Sequence, residues 1–362
     1  MLAGKLRMAV CALLAVCLVG LAGMCLWTRV FGSADCTREV MLAAAALALP
    51  DGSYSRTTVT NTTGAEQEDT APEDVSSTKH VSTSTLDEYV YSENPNLYAH
   101  EAHFPVVETQ YSTGEVGYND FYVKNSTEYE LDIGSYLARS LGFEFEDSDD
   151  VQVLIVHTHT SESYLTYDAG YYHEGFYPRS NDPERNMLRV GKAVAEGLER
   201  QGIGVVQARE VHDDPKYDGA YYRSWDTIEK YIEKYPKIKV VLDLHRDSIS
   251  YGTNGGKVKP TFTVSGRKAA QIMIMAGYDP DGYFEFPFWE DNLALALKLQ
   301  DTAEQMYPGM TRPLYFGNFA YNMNINNGSL LIEVGTDANT LEEAVYTGEL
   351  LSNVLARVLQ SG

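Results

Sequence analysis

Apolar positions follow two rhythms along the second half of the chain. Residues 151–156, 239–244 and 330–333 are short, nearly uninterrupted apolar runs, whereas 185–201, 221–234, 290–306 and 341–359 place apolar residues three and four apart. The first rhythm predicts strands buried on both faces, and the second predicts helices with one apolar stripe. Shorter strands are expected at 205–207, 261–264 and 272–276, and Gly202 and Pro236 stop the first two helices. Strands alternating with helices predict an α/β fold with a mostly parallel sheet, over 151–362, the size of one domain.

Before residue 151 these rhythms fail. Residues 8–27 form an uncharged apolar run preceded by Lys5 and Arg7, long enough for one transmembrane helix. This places the amino terminus inside and everything after Arg29 outside, with 1–35 as a cytoplasmic stub and single-pass anchor in the cell membrane. The alternative is a cleaved signal peptide ending at Gly32-Ser33-Ala34, although the run exceeds a usual signal core. Residues 36–88 pass from a short Ala/Leu stretch into Thr, Ser, Glu and Asp. Their little apolar surface cannot offset chain entropy, which predicts a disordered extracytoplasmic spacer. Residues 89–150 are mixed and Tyr-rich, with one helix expected at 133–140 and an acidic run at 144–150, and read as an adapter.

Charge and cysteine narrow the function. The formal net charge of −23 leaves no basic face to displace counterions from phosphates, so nucleic acid is excluded as a partner. All four cysteines, Cys11, Cys17, Cys25 and Cys36, precede the body, which excludes thiol catalysis and disulfides there. Met24 stands where a lipid-anchored Cys25 would need a small residue.

Three of the apolar runs end in candidate chemistry. The first leads into His157, His159 and Glu162, the second into His245 and Arg246, and the third ends in Glu333. A lone histidine after a strand is more often a satisfied core residue than a ligand. Recurrence changes this, because parallel strands bring their carboxyl ends to one edge, where open α/β sheets place ligands. Two histidines, one carboxylate and a further Glu are the parts of a catalytic zinc site. His157 and His159 would share a face of a continuing strand, and either could be the ligand; the His-x-x-Glu spacing favours His159. Glu162 is the nearest acidic ligand, with Asp182 and Glu184 as alternatives and Asp182 also a candidate N-cap ahead of Pro183. Glu333 would be the base. Arg246 would bind an oxyanion or a substrate carboxylate, or form a structural ion pair. Tyr164, Tyr167, Tyr171, Tyr172 and Tyr177 form a group suited to stacking on sugars or to plain packing.

The segments VLIVHTHTSESY at 153–164, NMLRVG at 186–191, His212-Asp213, GAYYRS at 219–224, VLDLHRD at 241–247 and LIEVG at 331–335 resemble the stage II sporulation protein P family. The resemblance spans 151–359 and implies a membrane-anchored peptidoglycan hydrolase. Its implied activities are those of an N-acetylmuramoyl-L-alanine amidase and a crosslink endopeptidase, working in spore engulfment beside a lytic transglycosylase, the sporulation protein D. It also implies an amidase-like three-layer sandwich whose zinc is held by His159, Glu162 and His245, with Glu333 as base. The chain departs from the simple amidase pattern in lacking a Gly-rich loop after the first histidine. A zinc carboxypeptidase on wall peptides, or an inactive wall-binding scaffold, are the competing readings.

Overall fold

In the computed structural model, residues 100–361 apart from Asp147 are described. The expected anchor and spacer, at 1–35 and 36–88, lie outside these residues. Among the described residues no helix is long and apolar enough to cross a membrane.

The elements in chain order are β1 (His103–Thr109), β2 (Val116–Tyr118), β3 (Phe121–Asn125), α1 (Ile133–Ala138), β4 (Val153–Val156), β5 (Tyr171–His173), α2 (Met187–Glu199), β6 (Val205–Gln207), α3 (Ala220–Lys234) and β7 (Val240–Asp247). There follow β8 (Ser250–Tyr251), β9 (Gly256–Val264), β10 (Arg267–Ala270), β11 (Ile272–Gly277), α4 (Trp289–Met306), β12 (Leu314–Gly317), a 3₁₀ turn (Met323–Ile325), β13 (Ser329–Thr336) and α5 (Leu341–Leu359).

The main sheet has eight strands in the order β2-β3-β12-β11-β13-β7-β4-β6. Strands β13, β7, β4 and β6 run parallel to one another, and β11 and β12 run parallel to each other in the opposite direction. The sheet is thus mixed but mostly parallel, the α/β class that the alternation predicts. A smaller sheet, β10-β9-β1-β5 with β8 on β9, lies beside it.

Strand β4 shows how the layers form. Val153 and Ile155 enter the large apolar cluster with residues of α2, α4 and α5, while Leu154 and Val156 enter a second cluster with Ile228 of α3. Alternation along a strand buried on both faces therefore places helices on both sides of the sheet. Helix α5 begins with a reciprocal cap in which Thr340 and Glu343 each bind the other's backbone N–H, which sets its start where the apolar stripe begins.

One expectation needs correction. Asp182 does not cap α2; its Oδ1 accepts from the Glu184 N–H (3.0 Å) in a preceding turn, and Asn186 is the cap, accepting from Leu188 N–H (3.0 Å). Strand pairing runs across residue 150: β3 pairs with β12 in the main sheet, and β1 pairs with β9 and β5.

Gly191 of α2 lets the helix approach the sheet closely: a Cβ there would lie 2.6 Å from His157 Nε2. Gly191→Ala is therefore expected to lower stability by about 1–3 kcal/mol, the usual range for overpacking. Thermal unfolding measures this, and an unchanged midpoint would show that the helix can move away.

Candidate active site

Strand β4 ends at Val156, and the chain leaves the sheet in a turn fixed by Asp243 of the neighbouring strand. The Thr158 N–H donates to Asp243 Oδ1 (2.9 Å), and its hydroxyl donates to Oδ2 (2.6 Å). Burial pushes the Asp243 carboxyl up, but the His245 charge and the Thr158 hydrogen bonds outweigh it and hold Asp243 below its ordinary value. Further on, the Glu162 N–H donates to the His159 carbonyl (3.1 Å), so the turn closes back on itself.

The turn separates the two histidines that a continuing strand would have kept on one face. His157 Nδ1 donates to the Leu244 carbonyl (3.1 Å) and Nε2 accepts from Gln207 (2.9 Å), in the tautomer that these partners require. Both nitrogens of His157 are used inside the protein. His159 turns the other way. Its ring stacks on Tyr217 (4.4 Å between centroids, 5° between planes) and meets His245 edge-on at 5.3 Å. Its Nδ1 is buried without a hydrogen-bond partner and lies 3.9 Å from Asp213 Oδ2. Burial, then the charges of His245 and Arg179, push its pKa well below the ordinary value, so the ring is neutral.

His245 lies on β7 two residues after Asp243, on the same face of the strand. Its Nδ1 is 3.7 Å from Glu162 Oε2, and its Nε2 is 3.0 Å from Asp243 Oδ1. The second contact lies off the N–H direction and acts as an ion pair rather than a regular hydrogen bond. Burial lowers this imidazole's pKa, but the Asp243 carboxylate prevails and raises it to about 9.

Glu162 is buried and held from three sides. Oε2 accepts from the Arg246 N–H (3.1 Å), and Oε1 lies 3.6 Å from the Arg246 guanidinium and 3.7 Å from that of Arg179. Arg246 also donates to the carbonyls of Ser163 (3.3 Å) and Pro178 (2.7 Å). These contacts make the ion pair with Glu162, one of the two expectations for Arg246. Asp182 and Glu184, the alternative acidic ligands, instead face solvent in ion pairs with Arg185 and Arg189.

Glu333 of β13 pairs in register with His245 of β7. Its Oε2 is buried without a hydrogen-bond partner, and burial, then the charge of Asp247, push its pKa up to about 8. Just beyond it the β13–β7 register shifts, and Gly335 takes a φ of 66° that only glycine adopts freely.

The structure thus gathers His159, Glu162, His245 and Glu333 at one sheet edge. Among the described residues, however, no group of three or more His, Cys, Asp or Glu is placed so that it could hold a metal ion. Of the aromatic group at 164–177, Tyr164 is in the core, donating to the Val334 carbonyl (2.9 Å), and Tyr171 stacks on His103. The rings beside the site are Tyr217, on His159, and Tyr221, stacked 6.3 Å from His245. Tyr217 and Arg179 are site residues that no sequence pattern marks, and Asp213 is marked only by its place in the family-like His212-Asp213 segment. Asp213 accepts from the Ser161 N–H (3.0 Å), the Ser161 hydroxyl (2.7 Å) and Arg179 (2.6 Å), and so fixes the turn between His159 and Glu162. Asp243 had a usable signal, its position two residues before His245; Arg179 had none.

A model of the family described as Stage II sporulation protein P (SpoIIP) matches residues 43–356. No match is found among curated proteins. Among solved structures, the N-acetylmuramoyl-L-alanine amidase AmiC2 of Nostoc punctiforme is similar at 14% identity and TM-score 0.34, over 60% of this chain and 98% of that one. The CwlD amidase from Clostridioides difficile, in complex with the GerS lipoprotein, is similar at 12% identity and TM-score 0.34, over 58% and 97%. The catalytic domain of CwlV, an N-acetylmuramoyl-L-alanine amidase from Bacillus (Paenibacillus) polymyxa var. colistinus, gives 13% and 0.34, over 59% and 100%. Likenesses at this level do not carry a function across.

Asp213→Ala removes the acceptor shared by Ser161 and Arg179. Breaking a buried ion pair from one side costs about 3–5 kcal/mol, and Arg179 keeps some solvent contact, so the lower end, about 3 kcal/mol, is expected. Chemical denaturation measures it; a loss below about 1 kcal/mol would mean that the turn holds without Asp213.

Proposed function

The chain belongs to the stage II sporulation protein P family, and from that premise we propose that it is a zinc-dependent peptidoglycan hydrolase acting in sporulation. The proposal includes its finer parts: cleavage of the N-acetylmuramoyl-L-alanine amide and of peptide crosslinks during engulfment. The body would stand outside the cell membrane, tethered through residues 8–27, and work beside a lytic transglycosylase, the sporulation protein D. One observation carries the reading. Two imidazoles and a carboxylate, His159, His245 and Glu162, are buried together next to Glu333, whose Oε2 has no hydrogen-bond partner.

The residues fit such an ion in chemistry. His159 is neutral with an unpartnered Nδ1, and Asp243 occupies one nitrogen of His245 while the other faces Glu162. A carboxylate behind a ligating histidine is the usual outer partner at such centres. Bound by His159, Glu162 and His245, zinc would supply Lewis acidity that brings the pKa of water near neutrality. The chain's own residues do the rest. Arg246 and Arg179 hold the Glu162 carboxylate in one orientation, and Asp213 holds the turn that carries it. Glu333, with a pKa raised to about 8, is suited to take a proton from the attacking water and return it to the leaving amine.

Elemental analysis of the purified protein is expected to show about one zinc per chain, falling sharply in His159→Ala and His245→Ala. Unchanged zinc in both variants would remove this site. Glu333→Gln is expected to keep its metal and lose at least about 100-fold in activity, the scale of general acid–base catalysis. If it loses the metal while Glu162→Gln keeps it, the two acids exchange roles. Digested peptidoglycan should yield stem peptides with free L-alanine amino termini, whereas release of single amino acids would favour a carboxypeptidase.

A further inference from the structure

Strand register extends the site sideways. Glu333 stands opposite Met273 of β11. One pleat further from the carboxyl edge, Leu331 of β13 faces Met275 of β11, Met275 faces Tyr315 of β12, and Tyr315 faces Lys124 of β3. Residues level with one another across paired strands share a face, and residues two apart along a strand share it too. The row ending in Lys124 is therefore on the same face as Glu333. A chain of ring contacts supports this placement, running from His245 through Tyr221 and Tyr321 to Phe319 and Tyr315.

Lys124 is exposed at the end of this row, with its ammonium 5.1 Å from the centre of the Tyr315 ring, which is only partly buried. A cation over a ring is held in place while its hydrogen-bond donors stay available. The other cations around the site are committed: Arg179 to Asp213, Arg246 to Glu162, Arg312 to Asp247, and Lys257 to Asp337. Lys124 makes no ion pair among the described residues, in a chain of net charge −23.

We infer that Tyr315 and Lys124 form a subsite for an acidic stem peptide, with the Lys124 ammonium binding a carboxylate remote from the scissile amide. Three strand spacings and one pleat separate Glu333 from Lys124, about 15 Å. An extended peptide spans this in about four or five residues, so the bound carboxylate belongs to the far part of a short stem. The inference rests on the peptidoglycan reading, which names the substrate, while the position and charge of the subsite come from the strand register and from Lys124.

The test uses the full-length chain and two muramyl peptides, one with free stem carboxylates and one with those carboxylates amidated. Calorimetry gives affinity, and product analysis on the same samples reports cleavage. Wild-type protein should bind the free-acid form about two- to fivefold more tightly, the size of an exposed charge pair. Lys124→Ala should abolish that preference, Lys124→Glu should reverse it, and Tyr315→Phe, which keeps the ring, should retain it. Equal binding of both peptides by wild type, or a preference that survives Lys124→Ala in a protein with unchanged thermal unfolding, would overturn the subsite. Cleavage with no preference would sink the inference alone. Absence of both binding and cleavage would sink it together with the peptidoglycan reading.

Discussion

The in-register parallel pairing of β4, β7 and β13 is the constraint on which the site depends. Val156 pairs with Asp243, and Glu333 pairs with His245. With these registers fixed, the turn after β4, the imidazole of β7 and the acid of β13 reach the same edge at matching heights. A slip of one residue would turn His245 and Glu333 to the opposite face, into the large apolar cluster. Buried apolar residues at Leu242, Leu244, Ile332 and Val334 resist that slip, because each would trade places with a charged side chain.

Burial at the site exacts a polar network in return. Glu162, Arg246, Asp213 and Asp243 are all nearly inaccessible, and each is paired or hydrogen-bonded within the protein. Such pairs contribute little net stability against the cost of desolvation, but each becomes expensive to break from one side. The network therefore acts more on position than on stability. It holds Glu162 beside His245 and fixes the 158–162 turn through Asp213 and Asp243. Glu333 is the exception, with one buried oxygen left without a hydrogen-bond partner.

Much of this was legible in the sequence where local pattern and burial agree. The apolar runs that became β4, β7 and β13, and the helical stripe at 341–359, needed no distant information, and Thr340 and Glu343 mark the start of that last helix. The short strands β1, β5 and β10 were not visible, since they are partly exposed and lack a clean alternation, as at Pro105, Arg267 and Lys268, and β12 is only four residues long. The site divided along the same line. Residues at strand ends announced themselves, while Arg179, Asp213 and Tyr217 matter only through contacts with distant segments. The separation of His157 from His159 was hidden for a related reason: the strand stops at Val156, and Asp243, far along the chain, decides how the next residues turn.

The central claim is that His159, Glu162 and His245 share one zinc ion while Glu333 stands apart from it. Anomalous diffraction at the zinc edge, from crystals of the protein grown with zinc, tests this most directly. The account predicts a single strong peak within bonding distance of those three side chains, with the Glu333 carboxylate beyond bonding distance. A peak bonded to Glu333 in place of Glu162, or one located away from this edge of the sheet, would contradict it.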